Sequence, residues 1–96
     1  MAPEKAAGED LSMRRRRLKY RAAHRGTREL DMLIGVFAEA KADVMDAGEL
    51  DRLERLLDEG ETELQAWLLG QEVPPPDVDR DLLERIIAHK ISITTR

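Results

Sequence analysis

The chain has 96 residues, enough for one domain, with 38% charged and 42% hydrophobic side chains and only Tyr20, Phe37 and Trp67 as aromatics. No apolar run approaches the roughly 18 residues that a membrane span needs, which excludes a helical membrane protein. There is no cysteine, which excludes a disulfide scaffold, a thiolate metal site and a thiol nucleophile. The first eleven residues, with Glu4, Glu9 and Asp10, have neither the apolar centre of a secretion signal nor the Arg-rich bias of a transit peptide, so a bacterial cytoplasm is expected.

The net charge of −4 conceals an asymmetry. Residues 11–28 contain Arg14, Arg15, Arg16, Arg17, Lys19, Arg21, Arg25 and Arg28 and no acid, a local charge of +8; residues 29–96 hold seven basic and seventeen acidic side chains, a local charge of −10. Such a segment either folds back on its own acids or meets an acidic partner.

Residues 1–11 are small, polar and aperiodic and read as a disordered tail. Ser12 is the expected cap of a first helix from Met13 to about His24, with a thin apolar side of Leu18, Ala22 and Tyr20. Gly26 breaks it, as glycine does where a helix ends in a left-handed residue. Thr27 caps a second helix reaching about Asp46. Its residues Leu30, Leu33, Ile34, Phe37 and Val44 recur at three- and four-residue steps, and Met32, Val36 and Ala40 add a second stripe, the pattern of a central helix. Gly35 inside it predicts a close helix crossing.

Gly48 is expected to separate a third helix, from Glu49 to Glu59, with Leu50, Leu53, Leu56 and Leu57 on one side. A short fourth helix carries Leu64, Trp67 and Leu68. Pro74, Pro75 and Pro76 stiffen an extended connection. Asp77 or Asp79 then caps a fifth helix with Leu82, Leu83, Ile86 and Ile87, and residues 92–96 are expected to fray. The prediction is an all-α, five-helix bundle, one domain over 12–91. Its expected core is Leu30, Leu33, Ile34, Phe37, Leu53, Leu57, Leu64, Trp67, Leu68, Leu83, Ile86 and Ile87.

Catalytic chemistry finds little support. His24 and His89 lie far apart, with no ligand spacing for zinc, so no metal site is expected. Ser12 and Ser92 belong to no nucleophile motif, and the acids fall on polar helix faces. No Gly-rich loop offers to cradle a phosphate. An enzyme is therefore not expected. The run Arg14–Arg21 makes a nucleic-acid-binding regulator the alternative, since arginines neutralise phosphates; against it, the rest of the chain repels phosphate and the second helix is too apolar for a groove. The apolar side of helix 1 is too poor for binding an anionic membrane surface. The antitoxin half of a toxin–antitoxin pair would also suit a small, charged helical chain.

The most informative segment is the join Arg25-Gly26-Thr27-Arg28-Glu29-Leu30-Asp31. Gly26 removes a side chain at a sharp turn, Arg25 suits a helix end, and Glu29 and Asp31 suit a helix start. An ordinary helix junction and a docking corner are both compatible with these residues. The segment, preceded by Arg17-Leu18-Lys19-Tyr20, resembles the RGxxE signature of the succinate dehydrogenase flavinylation factors, the bacterial SdhE type related to mitochondrial succinate dehydrogenase assembly factor 2. The similarity continues through Phe37, Leu56-Leu57, Glu61-Thr62-Glu63-Leu64, Ala66-Trp67-Leu68 and the proline-containing connection, over about residues 14–90. Glu61 stands where that family more often has Asp.

The resemblance implies a five-helix assembly factor that binds the flavoprotein subunit of succinate dehydrogenase and, in some bacteria, of fumarate reductase. It implies that the factor promotes covalent attachment of FAD to that subunit, with the FAD belonging to the partner and no cofactor held by this chain. The implied partner-binding residues are Arg25, Gly26 and Glu29, with Asp31, Arg17 and Tyr20 as additions on the same surface. Gly26 is then expected to admit a close contact while Arg25 and Glu29 hydrogen-bond to the partner. A monomer is expected, although the thin face of helix 1 leaves a dimer open.

Overall fold

The computed structural model describes residues 10–94, and its five helices form one core. Helix α1 spans Leu11–Ala23. Its cap is Asp10, not Ser12: the Asp10 carboxylate accepts from the Met13 amide at 2.9 Å and from the Ser12 hydroxyl at 2.9 Å. A carboxylate one residue earlier wins because it satisfies a first-turn amide and favours the positive end of the helix dipole. Of the expected disordered tail, residues 1–9 lie outside the described residues.

Helix α2 covers residues 28–41 in three stretches, α-helical over Arg28–Leu30, π-helical over Asp31–Gly35 and α-helical over Val36–Lys41. A single 3₁₀ turn, Ala42–Val44, follows. Thr27 caps α2 as expected, its hydroxyl accepting from the Leu30 amide at 3.2 Å. The helix stops before Asp46, so Val44 leaves the predicted stripe and is 79% exposed. Of the second stripe, Met32 and Ala40 are exposed and Val36 is half-buried.

Helix α3 spans Ala47–Leu57 and begins with a capping box. Asp46 accepts from the Glu49 amide at 2.9 Å, and Glu49 accepts from the Asp46 amide at 3.2 Å. This box places Gly48 inside the first turn, where a break was expected. Helix α4 spans Glu61–Leu68. Helix α5 spans Arg80–Thr94, so residues 92–94 extend the helix instead of fraying. Asp79 is its cap, accepting from the Leu82 amide at 3.0 Å.

Every member of the expected core is buried except Ile87, which is partly buried against it; Leu18, Met45, Leu50, Leu56, Val78 and Leu82 join them. Helix α2 is central, with α1, α4 and α5 packed on it. The α1–α2 crossing depends on Gly35, as the sequence suggested. A Cβ there would lie 2.9 Å from the Cα of Ala23 and 3.2 Å from its Cβ, so any side chain would push two backbones apart.

Arg52 of α3 holds the start of α5. Its guanidinium donates to both oxygens of Asp79, at 2.6 and 2.8 Å, and to Asp81 at 3.0 Å. Planar, paired geometry of this kind is the strong form of an Arg–carboxylate contact. Hydrogen bonds from Arg52, then the Leu82 amide, hold the Asp79 carboxyl below its ordinary value of 3.8, while partial burial opposes them.

Gly35→Ala should lower stability by about 1–2 kcal/mol, the cost of overpacking exceeding the gain in helix propensity, as read by urea unfolding. Because the Asp79 pKa is depressed on folding, its stabilisation is present above pH 3.8 and is lost as pH falls through the folded value. Urea midpoints should therefore drop below that pH, and Asp79→Asn should show a shallower drop from a lower starting midpoint.

Candidate docking corner

The basic run on α1 folds back on the chain. Arg14 contacts Asp51 and donates to Glu54 at 3.0 Å. Lys19 pairs with Asp43 at 3.0 Å, and Arg21 donates to Asp58 at 2.6 Å. Arg15 works on backbone, donating to the Ala42 carbonyl at 2.9 Å and the Met45 carbonyl at 2.6 Å. These carbonyls lie in and just after the 3₁₀ turn that follows α2, where a cation satisfies groups that a helix end leaves unpaired. Arg14 is held more firmly protonated by the Asp51 hydrogen bond above all. A phosphate backbone approaching α1 would have to displace these partners, which weighs against the nucleic-acid reading.

Arg25 extends the pattern into the corner. Its guanidinium donates to the Leu57 carbonyl at 2.5 Å and the Glu59 carbonyl at 3.0 Å, closing the end of α3. Its backbone N–H donates to the Asp31 carboxylate at 2.6 Å. Arg25 Nε is buried without a hydrogen-bond partner. The guanidinium expected to reach a partner protein is thus spent within the chain, and Asp31 likewise ties the turn to α2.

Gly26 has φ +106°, a left-handed conformation that a side chain resists. A Cβ on it would point at the Glu61 carboxylate, 3.3 Å from Oε2. The glycine is therefore required by the turn itself, and the space it leaves faces α4 of the same chain. Thr27 adds a second tie, its hydroxyl donating to Gln65 Oε1 of α4 at 3.4 Å. The corner nonetheless lies at the surface, with Gly26, Arg28 and Glu29 exposed.

The two predicted additions from α1 form a neighbouring patch. Arg17 is exposed and lies 3.7 Å from Glu54. Tyr20 is 66% exposed and stacks on His24 with ring centroids 4.1 Å apart. His24 Nδ1 lies 2.8 Å from the Tyr20 carbonyl, which only accepts, so Nδ1 carries the proton. Arg17 and Tyr20 share a shallow surface with Met13 and Arg16. Arg25, Gly26 and Asp31 thus build the corner, Glu29 stands out from it, and Tyr20 and Arg17 lie along α1. His89 is elsewhere, edge-on to Phe37.

Sequence reasoning missed the side of the corner formed by Met32, Leu33, Leu69 and Lys90, which line one groove with Arg28 and Glu29. The available signal was position: Met32 follows Arg28 and Glu29 by four and three residues, on the same helix face.

A family model described as the flavinator of succinate dehydrogenase matches residues 16–90. The chain belongs to this family. It is similar to the FAD assembly factor SdhE of Acetobacter pasteurianus, with 47% identity over 81 residues that cover 84% of this chain and 74% of the relative. It is also similar to the mitochondrial succinate dehydrogenase assembly factor 2 of Aspergillus flavus, with 36% identity over 78% of this chain and 25% of the relative. The corresponding factor of Caenorhabditis briggsae is 36% identical over 76% of this chain and 62% of its own length. The chain thus spans less than two thirds of the length of these two mitochondrial relatives. No solved structure matches it at a significant level. Among the described residues, no helix of this flavinator-family chain is long and apolar enough to cross a membrane.

Arg25→Met should destabilise the fold by about 1–3 kcal/mol, since it strips the Leu57 and Glu59 carbonyls of a charged donor. Arg25→Lys should recover part of that loss, both read as shifts in urea midpoint.

Proposed function

We propose that this protein binds the flavoprotein subunit of succinate dehydrogenase and promotes covalent attachment of FAD to it, without being an enzyme itself. The observation that carries this reading is a corner with Gly26, Arg28 and Glu29 exposed, held rigid from behind by Arg25 and Asp31, in a chain of the flavinator family. A preordered surface loses little freedom on binding, which favours recognition of a mobile client. Glu29 and Arg28 supply exposed charge at the corner, and Tyr20 extends it along α1. Fumarate reductase is a second client of the same chemistry, and the factor acts as a cytoplasmic monomer.

The bond between flavin and protein forms in the client, so this chain needs no reacting group. It acts by binding one conformation of the immature flavoprotein better than the others. Moving a population from 1:99 to 99:1 requires about 5.5 kcal/mol of differential affinity. Holding the client's domains in a reactive arrangement aligns flavin and acceptor side chain, an effect of positioning. FAD is carried by the client.

Deleting the protein should sharply reduce covalent flavin on the dehydrogenase subunit, read by fluorescence in a denaturing gel. Unchanged covalent flavin would defeat the reading. Restoring the protein as Glu29→Gln should leave the signal several-fold below that of the unaltered protein, with an unchanged melting temperature because Glu29 is exposed.

A further inference from the structure

We infer that the groove between α4 and α5 receives an extended segment of the client flavoprotein, one that sets an aliphatic side chain in the groove and a lysine or arginine beside it. This inference rests on the flavoprotein reading above, and on no feature of the corner. The groove encloses about 300 Å³ where the end of α4, the connection after it and α5 meet. Trp67 and Leu83 are buried in its wall, Ile87 is half-buried, and Val73 is 75% exposed beside them. The wall is formed before any partner arrives. Gly70, at φ +75°, turns the chain out of α4, and the Gln71 and Glu72 amides both donate to the Ala66 carbonyl, at 2.8 and 3.2 Å. Pro74 then stiffens the segment that completes the groove. An apolar concavity already in place costs little ordering on binding.

Two further observations fix the occupant. Trp67 is only 7% exposed, yet its indole N–H donates to no acceptor among the described residues. The nitrogen is not sealed away either, since Arg25 Nε is the one buried side-chain nitrogen or oxygen without a partner among those residues. A tryptophan packed this deeply ordinarily satisfies its N–H, so the groove presents a donor that awaits an acceptor. A backbone carbonyl meets that need where the partner's chain is extended, because helices and sheet interiors already use theirs. The charge of the rim is settled by Glu72. Arg80 and Glu84 pair with each other at 3.7 Å, which leaves Glu72 as the one charge of the groove without a counter-ion among the described residues. The adjoining polar groove shares Gln71 and Glu72 with this one and adds Glu61, likewise unpaired among the described residues. The surroundings have the same sign. Residues 56–79 contain seven acids and no lysine or arginine, and of those acids only Asp58 and Asp79 meet a cation among the described residues. A cation flanking the aliphatic side chain therefore meets a carboxylate that no described residue neutralises, at the rim of an apolar seat.

The test uses the full-length protein and the flavoprotein subunit produced in its absence, with affinity measured by calorimetry and a melting temperature recorded for each variant. Trp67 is the only tryptophan, so a ¹⁵N-labelled sample gives one indole N–H resonance, which should move when unlabelled subunit is added. Glu72→Lys should keep its melting temperature, because Glu72 is exposed, and should weaken binding at least about tenfold. Val73→Ser should weaken it about threefold or more through lost apolar contact. Asp77→Lys makes the same charge change outside both grooves and should stay within about twofold. The inference is overturned if folded Glu72→Lys binds within about twofold of the unaltered protein, if Asp77→Lys loses as much as Glu72→Lys, or if the unaltered protein binds while the Trp67 resonance stays in place. If the unaltered protein fails to bind the subunit at all, the flavoprotein reading falls, and this inference with it.

Discussion

The structure depends on a basic helix laced to an acidic body. Helix α1 buries only Leu18 and Ala22, too little apolar surface to hold thirteen residues in place. What it lacks in greasy area it gains in arginines that reach two kinds of acceptor. Arg14 meets a carboxylate of α3, Lys19 and Arg21 meet carboxylates just past the ends of α2 and α3, and Arg15 and Arg25 meet carbonyls at or just past those same ends. Isolated surface ion pairs contribute little. Guanidinium groups on terminal carbonyls contribute more, since they replace water on groups that would otherwise be half-hidden and unpaired. The asymmetry of charge along the chain is therefore an architectural device, and the corner between α1 and α2 is placed by it.

The same lacing divides the corner into support and contact. Arg25 faces inward and Asp31 takes its backbone N–H, so the turn is fixed before any partner arrives. Glu29, Arg28 and Met32 face outward. One short segment of sequence thus serves both tasks, with Arg25, Gly26 and Asp31 fixing the turn and Arg28, Glu29 and Met32 exposed. Gly26 belongs to the support, because its positive φ and the nearby Glu61 account for it without any partner.

Local periodicity was a sound guide to the five helices and to nearly all of their buried side. Gly35 was correctly expected at a close crossing, because a glycine within a long apolar helix otherwise lowers its stability. Helix starts were misplaced at Ser12 and Gly48 because a stronger cap, Asp10 or Asp46, stood nearby. Met32 and Val44 belong to apolar stripes by spacing yet are exposed, because spacing alone does not say which stripe meets the neighbouring helices. The π-helical turn over Asp31–Gly35 has no signature in the residues themselves. The inward course of Arg25 was also out of reach, since its acceptors arrive from Leu57 and Glu59, more than thirty positions downstream.

The attachment of α1 has a consequence for how binding experiments are interpreted. At physiological ionic strength, charges more than about 8 Å apart barely sense one another, and concentrated salt shortens that reach further. The helix most reliant on charge is also the one that carries one side of the corner. Loss of client binding in concentrated salt would therefore arise even from a wholly apolar contact, through loosening of the element that presents it, and brine sensitivity by itself says nothing about the chemistry of the interface.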